Sequence, residues 1–231
     1  MTDTVQRTLH DVRFPGESAE YRAARDRLLE AEMALRRQIE AVAAQRRALP
    51  PGGPVPENYV FAEGDDARPV RLSELFGDKQ TLLLYSYMYG PAMALPCPSC
   101  TSMLDGLDGQ APHITQRAAL AVVARSPIAR IRAFTVPRGW SRLRLLSSAD
   151  NTYHADYHSE TAEGSQRPIM NVFVKGADGA IRHSWSSELA FAPMDPGQDP
   201  RHIDAIWPMW SALDLTPEGR GADTHPKLNY D

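Results

Sequence analysis

Apolar positions in this chain recur with two periods, and the switch between them marks out the elements. Over residues 19–48, Leu28, Leu35, Ile39 and Val42 form a stripe at helical spacing, with Arg and Glu around it. No Gly or Pro interrupts that stretch. Ser18 stands where an N-cap belongs, Glu20 falls in the first turn, and Arg46 and Arg47 suit a C-terminus that Pro50 and Pro51 close. A helix of about 30 residues at 1.5 Å rise is ~45 Å long. Two uses suit it: packing along its own domain, or serving as the arm of a homodimer, with a stripe thin in large residues.

After a Pro/Gly linker at residues 50–56, the pattern changes to short apolar runs. Residues 59–61 and 70–72 can pair as a hairpin across Gly64, Asp65 and Asp66. Residues 73–77 read as a capped helical turn closed by Gly77. Residues 81–87 (Thr-Leu-Leu-Leu-Tyr-Ser-Tyr) are apolar enough for a strand covered on both faces. A helix opening near Cys97 with no strong breaker until Gly106, a buried strand at 118–124 and a helix capped by Ser126 with Pro127 at its first position follow. Next come a short strand at 143–146 and a hairpin, residues 169–174 with 180–185, around an Asp-Gly turn. Residues 202–213 can form a last helix carrying Ile203, Ile206, Trp207 and Trp210, which Pro208 should kink or split. These elements predict three parts: residues 1–50 as an arm and long helix, 51–216 as the main domain, and 217–231 as a polar tail.

Composition narrows the class. The 231 residues are 42% hydrophobic and 23% charged, ordinary values for a globular protein. Lys+Arg 25 against Asp+Glu 29 leaves a net charge of -4, which argues against nucleic acid as a partner. No apolar run reaches the ~20 residues of a membrane span, and residues 1–15 are polar with no secretory core. The expected setting is the cytoplasm, with no membrane partner, where thiols are held reduced.

Against that background the cysteines matter most. The chain has two, Cys97 and Cys100, in Pro96-Cys97-Pro98-Ser99-Cys100. A Cys-x-x-Cys pair between a strand and a helix is a redox signature of the thioredoxin type. Strand, Cys-helix, strand, helix, strand, hairpin, helix is the thioredoxin order with one added strand. The predicted fold is therefore α/β: a thioredoxin-like mixed sheet flanked by helices, with a long N-terminal helical extension. At a helix N-terminus, free N–H groups and the dipole stabilise a Cys97 thiolate, making it the nucleophile. Cys100, three residues on, is on the same face and resolves the mixed disulfide. Paired-thiol metal binding and inert structural cysteines are the competing readings. Pro168, after Arg167, opens the hairpin strand where such folds carry a cis-proline facing the cysteines, and the cis form is expected here too.

Cys97-Pro98-Ser99-Cys100, Arg125-Ser126-Pro127, Gly139-Trp140, Ser147-Ser148, the run Leu213-Asp214-Leu215-Thr216-Pro217 and Gly219-Arg220 resemble an uncharacterised bacterial thioredoxin-like family, usually labelled a predicted dithiol-disulfide oxidoreductase. The resemblance runs from about Glu20 to Arg220. It implies a thioredoxin-like fold with an N-terminal helical extension, and implies the activity only through that label. Two motifs depart from the family pattern: Ser86-Tyr87-Met88 where it has His-Phe-Met, and Pro137-Arg138-Gly139-Trp140 where it has Arg-Met-Gly-Trp. No acidic residue lies in residues 81–87 to act as a buried proton acceptor, and the loop 88–96 is longer than in thioredoxins. The Pro-x-x-x-Thr-x-x-Cys of peroxiredoxins is lacking.

Other candidates are Tyr87, Tyr89 and Trp140 for a substrate groove, Asp105 as a proton shuttle, and His154, His158 and His183 as further ligands for zinc or copper. Seven arginines (Arg117, Arg125, Arg130, Arg132, Arg138, Arg142, Arg144) occupy a span without acids and suggest an anion site for glutathione or an acidic partner. The reading that follows is a thiol-disulfide oxidoreductase acting on a protein or small-molecule disulfide. Cys97 and Cys100 are its catalytic residues; Pro168, Arg167, Trp140 and Tyr87 bind substrate, with no cofactor and no resident metal. The alternative is a non-catalytic thioredoxin-like protein that holds a metal ion or a partner at the cysteine cleft.

Overall fold

A computed structural model describes residues 9–230. The chain divides into two compact units, Met1–Pro50 and Pro51–Asp231. In the first, α1 spans Ala19–Arg47, and the Ser18 hydroxyl accepts the Tyr21 N–H at its start. Arg22 bridges Glu17 and Asp26, while Leu28, Leu35 and Ile39 along the same helix are exposed.

In the second unit the elements are β1 (Val60–Glu63), β2 (Arg68–Arg71), β3 (Thr81–Ser86), α2 (Pro98–Ile114), β4 (Ala119–Ala124) and α3 (Ile128–Thr135). They continue with β5 (Arg144–Ser147), α4 (Tyr153–Asp156), β6 (Met170–Lys175), β7 (Ile181–Ser186) and α5 (Pro208–Leu213). The seven strands make one mixed sheet in the order β2-β1-β5-β4-β3-β6-β7. β3, β4 and β5 run parallel, and β6 returns antiparallel against β3 with Tyr85 opposite Met170. The parallel pairs need crossovers, which α2 and α3 supply.

Strand periodicity sorts the core into two layers. Tyr85 and Tyr87 point to one face, with Leu120 and Val122, beneath Met103, Leu104 and Leu107 of α2 and Ile131 of α3. Leu82, Leu84, Val123 and Phe173 point to the other, beneath Leu72, Leu75, Phe76 and Tyr153. Along β7 the chain at 52–55 adds a short ladder: His183 N–H donates to Gly53 and Val55 N–H donates to Ile181. Gly52 is required there, since a Cβ would sit 1.7 Å from the His183 carbonyl oxygen.

Several expectations shift. α2 continues through Gly106 and Gly109 to Ile114, because its buried face outweighs two poor helix formers. α3 is capped by Pro127, one residue later than expected, since the Ser126 side chain is turned inward to donate to the Gly90 carbonyl. The last helical stretch is split as anticipated, into a 3₁₀ turn at Asp204–Ile206 and α5 beginning at Pro208. α4 has no expectation behind it; four residues are too few for a period to show. Among the described residues no helix is long and apolar enough to cross a membrane.

Candidate functional site

β3 delivers the chain to a loop at 87–97 that turns back into α2. Cys97 caps that helix with extended backbone, and Pro98 occupies the first turn, where no N–H is needed. The Cys97 N–H donates to the Met88 carbonyl at 3.0 Å. Its own carbonyl receives the Thr101 N–H at 3.0 Å and the Thr101 hydroxyl at 2.8 Å. With its proton committed to Cys97, Thr101 accepts from the Tyr87 hydroxyl at 2.7 Å. The cysteine backbone is thereby held from both sides, and Sγ is left to the helix N-terminus.

Both thiols are free. Cys97 is partly exposed and Cys100 is buried behind it. The Cys97 thiol is lowered to about 6, first by a hydrogen bond from Cys100, against the opposing effect of burial, then by the backbone N–H groups of Cys100 and Ser99 and the Ser99 side chain. At pH 7 the thiolate is then the favoured form. Cys100 is pushed well above the ordinary thiol value, chiefly by burial and then by holding its proton toward Cys97. One sulfur is thus an accessible thiolate and the other a protonated reserve.

Arg130 on α3 fixes the loop. Its guanidinium donates to the carbonyls of Gly90 (3.3 Å), Pro91 (3.1 Å), Met93 and Ala94 (3.1 Å), and lies over the Tyr89 ring at 4.6 Å. Ser126 adds its N–H to the Tyr89 carbonyl. In sequence both read otherwise, Arg130 as part of an anion site and Ser126 as a helix cap, because carbonyls turned toward one guanidinium carry no side-chain signature.

The other predicted residues fall in two groups. Pro168 lies just before β6, and the Ile169 carbonyl accepts the Ser86 N–H, so Pro168 stands beside the end of β3 from which the cysteine loop departs. Its carbonyl pairs with His202 Nε2 at 2.7 Å. The expectation of a cis bond is overturned: no described peptide is cis, and Pro168 keeps the trans form that is the lower-energy default. Arg167 is exposed and stacks on Phe191 at 5.6 Å.

Tyr87 and Trp140, expected to line a substrate groove, are core residues. Their rings pack on each other at 5.8 Å, with Tyr87 0% and Trp140 7% exposed. Asp105 is no free shuttle. It accepts the Trp140 indole N–H at 2.8 Å and two Arg138 bonds at 2.7 and 2.6 Å.

The histidines do not gather at the cysteines. His154 is buried against Ser148, His183 pairs with Asn171 and His158 faces Phe191. Among the described residues no three His, Cys, Asp or Glu side chains form a metal-holding group. Five of the seven arginines are paired with acids, Arg125 with Glu160, Arg132 with Asp65, Arg138 with Asp105, Arg142 with Asp108 and Arg144 with Glu63, and Arg130 is taken up by the loop.

A parallel β3-α2-β4 unit, a returning β6-β7 hairpin and a cysteine pair at the head of α2 define a thioredoxin-like protein. The chain belongs to the family described as "Bacterial protein of unknown function (DUF899)", whose model matches residues 12–231. No curated protein matches it. Similar solved structures include the peroxidoxin BcpB of Mycobacterium tuberculosis, 18% identical with a TM-score of 0.46, covering 71% of this chain and 97% of its own. Reduced Prx3 of Vibrio vulnificus in complex with hydrogen peroxide is 13% identical with a TM-score of 0.46, covering 70% and 95%. Plasmodium yoelii thioredoxin peroxidase I is 18% identical with a TM-score of 0.44, covering 79% and 99%. At such scores the fold rests on the sheet order and the cysteine placement, not on these likenesses.

Proposed function

We propose that the protein is a dithiol-disulfide oxidoreductase that reduces a protein or small-molecule disulfide through Cys97 and Cys100. The observation that carries this reading is the inequality of the two thiols: Cys97 lowered to about 6 and partly exposed, Cys100 buried and held protonated. The Cys97 thiolate attacks one sulfur of the substrate disulfide, forming a mixed disulfide and expelling the other sulfur as a thiolate. Cys100 then loses its proton and attacks Cys97 Sγ. The bond from Cys97 to the substrate breaks, its electron pair and the proton leave with the second substrate thiol, and Cys97–Cys100 remains oxidised by two electrons. An external thiol donor restores the dithiol. The trans Pro168 and exposed Arg167 beside the end of β3 are the positions from which the substrate chain would be met. A reducing cytoplasm is the setting in which the dithiol form does the attacking. Metal binding is the weaker reading, since a buried Cys100 with a raised pKa resists becoming the second thiolate ligand.

The test is a redox titration of the purified protein in glutathione buffers, with thiol state read by alkylation mass shift. A single two-electron transition, abolished in both Cys97→Ser and Cys100→Ser, is expected. Thiols that stay reduced across the whole range would overturn the proposal.

A further inference from the structure

The strand leading to the cysteines holds a buried group that the exchange scheme leaves unused. Tyr85 is wholly buried on β3, on the face that α2 covers. Its hydroxyl lies against the Cys100 thiol, yet makes no hydrogen bond of good geometry with any described group. An unsatisfied buried hydroxyl is costly, and phenylalanine would fill the same space without it. Tyr87, two residues along the same face, shows the ordinary outcome: its hydroxyl is paired with Thr101.

We propose that Tyr85 is a further catalytic residue, donating its hydrogen bond to the Cys100 thiolate as that thiol resolves the mixed disulfide; this rests on the exchange reading above. In the resting dithiol the Cys100 proton is directed to Cys97, and the thiol sulfur offers the phenol only a weak acceptor. Once Cys100 ionises, the sulfur becomes a charged acceptor in an apolar layer, and the phenol buried beside it is the donor at hand. The bond is strong only along the reaction, which is where binding energy accelerates a step. Burial drives the Tyr85 hydroxyl well above its ordinary value, so it keeps its proton and acts as donor, never as base. The proton shed by Cys100 goes to a basic departing thiolate, or to solvent where the departing thiolate is a weak base, as in the aromatic disulfide below.

The test uses the full chain and an aromatic disulfide, dithiobis(nitrobenzoate), which releases one coloured thiolate when Cys97 attacks and a second when Cys100 resolves. In Tyr85→Phe the first release should be unchanged and the second slower by roughly tenfold to a hundredfold, the worth of a hydrogen bond to a charged group. Its Tm should be equal or higher, because an unsatisfied hydroxyl has been removed. Site-specific Tyr85→fluorotyrosine, which keeps the packing and donates more strongly, should speed the second release, and it carries the test if Tyr85→Phe does not fold. Second-release rates equal to wild type in the folded variants overturn the role of Tyr85. A wild-type protein that never gives the second release, or gives it equally in Cys100→Ser, instead overturns the exchange reading itself.

Discussion

At Cys97 several donors converge on one sulfur: the Cys100 thiol, the N–H groups of Ser99 and Cys100, and the Ser99 side chain. The thiolate absorbance of the reduced protein should therefore titrate near pH 6, and iodoacetamide should modify Cys97 at a rate that levels off above pH 7 while Cys100 stays unreactive. The same shift sets a stability slope. Between about 6 and the free-thiol value of 9.0 the unfolded chain binds the proton that the folded chain has released. Relative to Cys97→Ser, the reduced protein should gain stability as pH rises through that window and lose the gain as pH falls through 6. A flat difference between the two urea midpoints across that range would contradict the lowered thiol. At this scale the two cysteines were legible, because their spacing and the following Pro98 already place them at a helix start. Tyr85 and Thr101 were not: a tyrosine in an apolar strand is ordinary until its hydroxyl is seen beside a thiol. Tyr87 and Trp140 misled for the same reason, since aromatic character shows apolarity and not which side of the cysteines the ring lies on.

The loop at 88–96 is the element on which the site depends, and it has neither helix nor strand to hold it. Arg130 takes that part from α3, satisfying four loop carbonyls that would otherwise face one another. Arg130→Met should cost on the order of 2 kcal/mol, given the worth of charge-assisted hydrogen bonds. The change should also raise hydrogen exchange at the Cys97 N–H, whose partner is the Met88 carbonyl at the root of the loop. Unchanged exchange at that amide would show that the loop holds itself. The strands were legible to within a residue or two because a period of 2 flanked by Gly, Pro and Asp is a strong signal. Helix ends were less so: α2 overran both of its glycines, and the cap of α3 moved to Pro127 once Ser126 was needed inside.

Over the whole of the second unit, the polar stretch after α5 is tied down rather than trailing. Arg220 pairs with Asp204 and Asp214 and lies over the Trp210 ring, Pro226 is buried, and Arg138 donates to the Leu228 carbonyl at 2.6 Å. Through Arg138 this stretch reaches Asp105, which holds the indole N–H of Trp140, the ring that packs on Tyr87. Removing residues 222–231 should therefore lower stability by about 1–2 kcal/mol, a fall in Tm of roughly 2–8 °C. A truncated chain melting with the full one would show that the Leu228 contact adds nothing.

The sequence alone determined the element order, the α/β class and the cysteine pair, because strand and helix periods, Pro and Gly punctuation and short-range spacing are local properties that each segment carries with it. Tertiary structure decided which groups meet. It brought the Tyr85 hydroxyl to Cys100, the Arg130 guanidinium to the loop carbonyls and Asp105 to Arg138, contacts between residues from 15 to 40 positions apart. It also left Pro168 trans and turned two expected groove aromatics into core. Such outcomes depend on the register of β3 against its neighbours and on which face each helix buries, and only the packed chain holds that information.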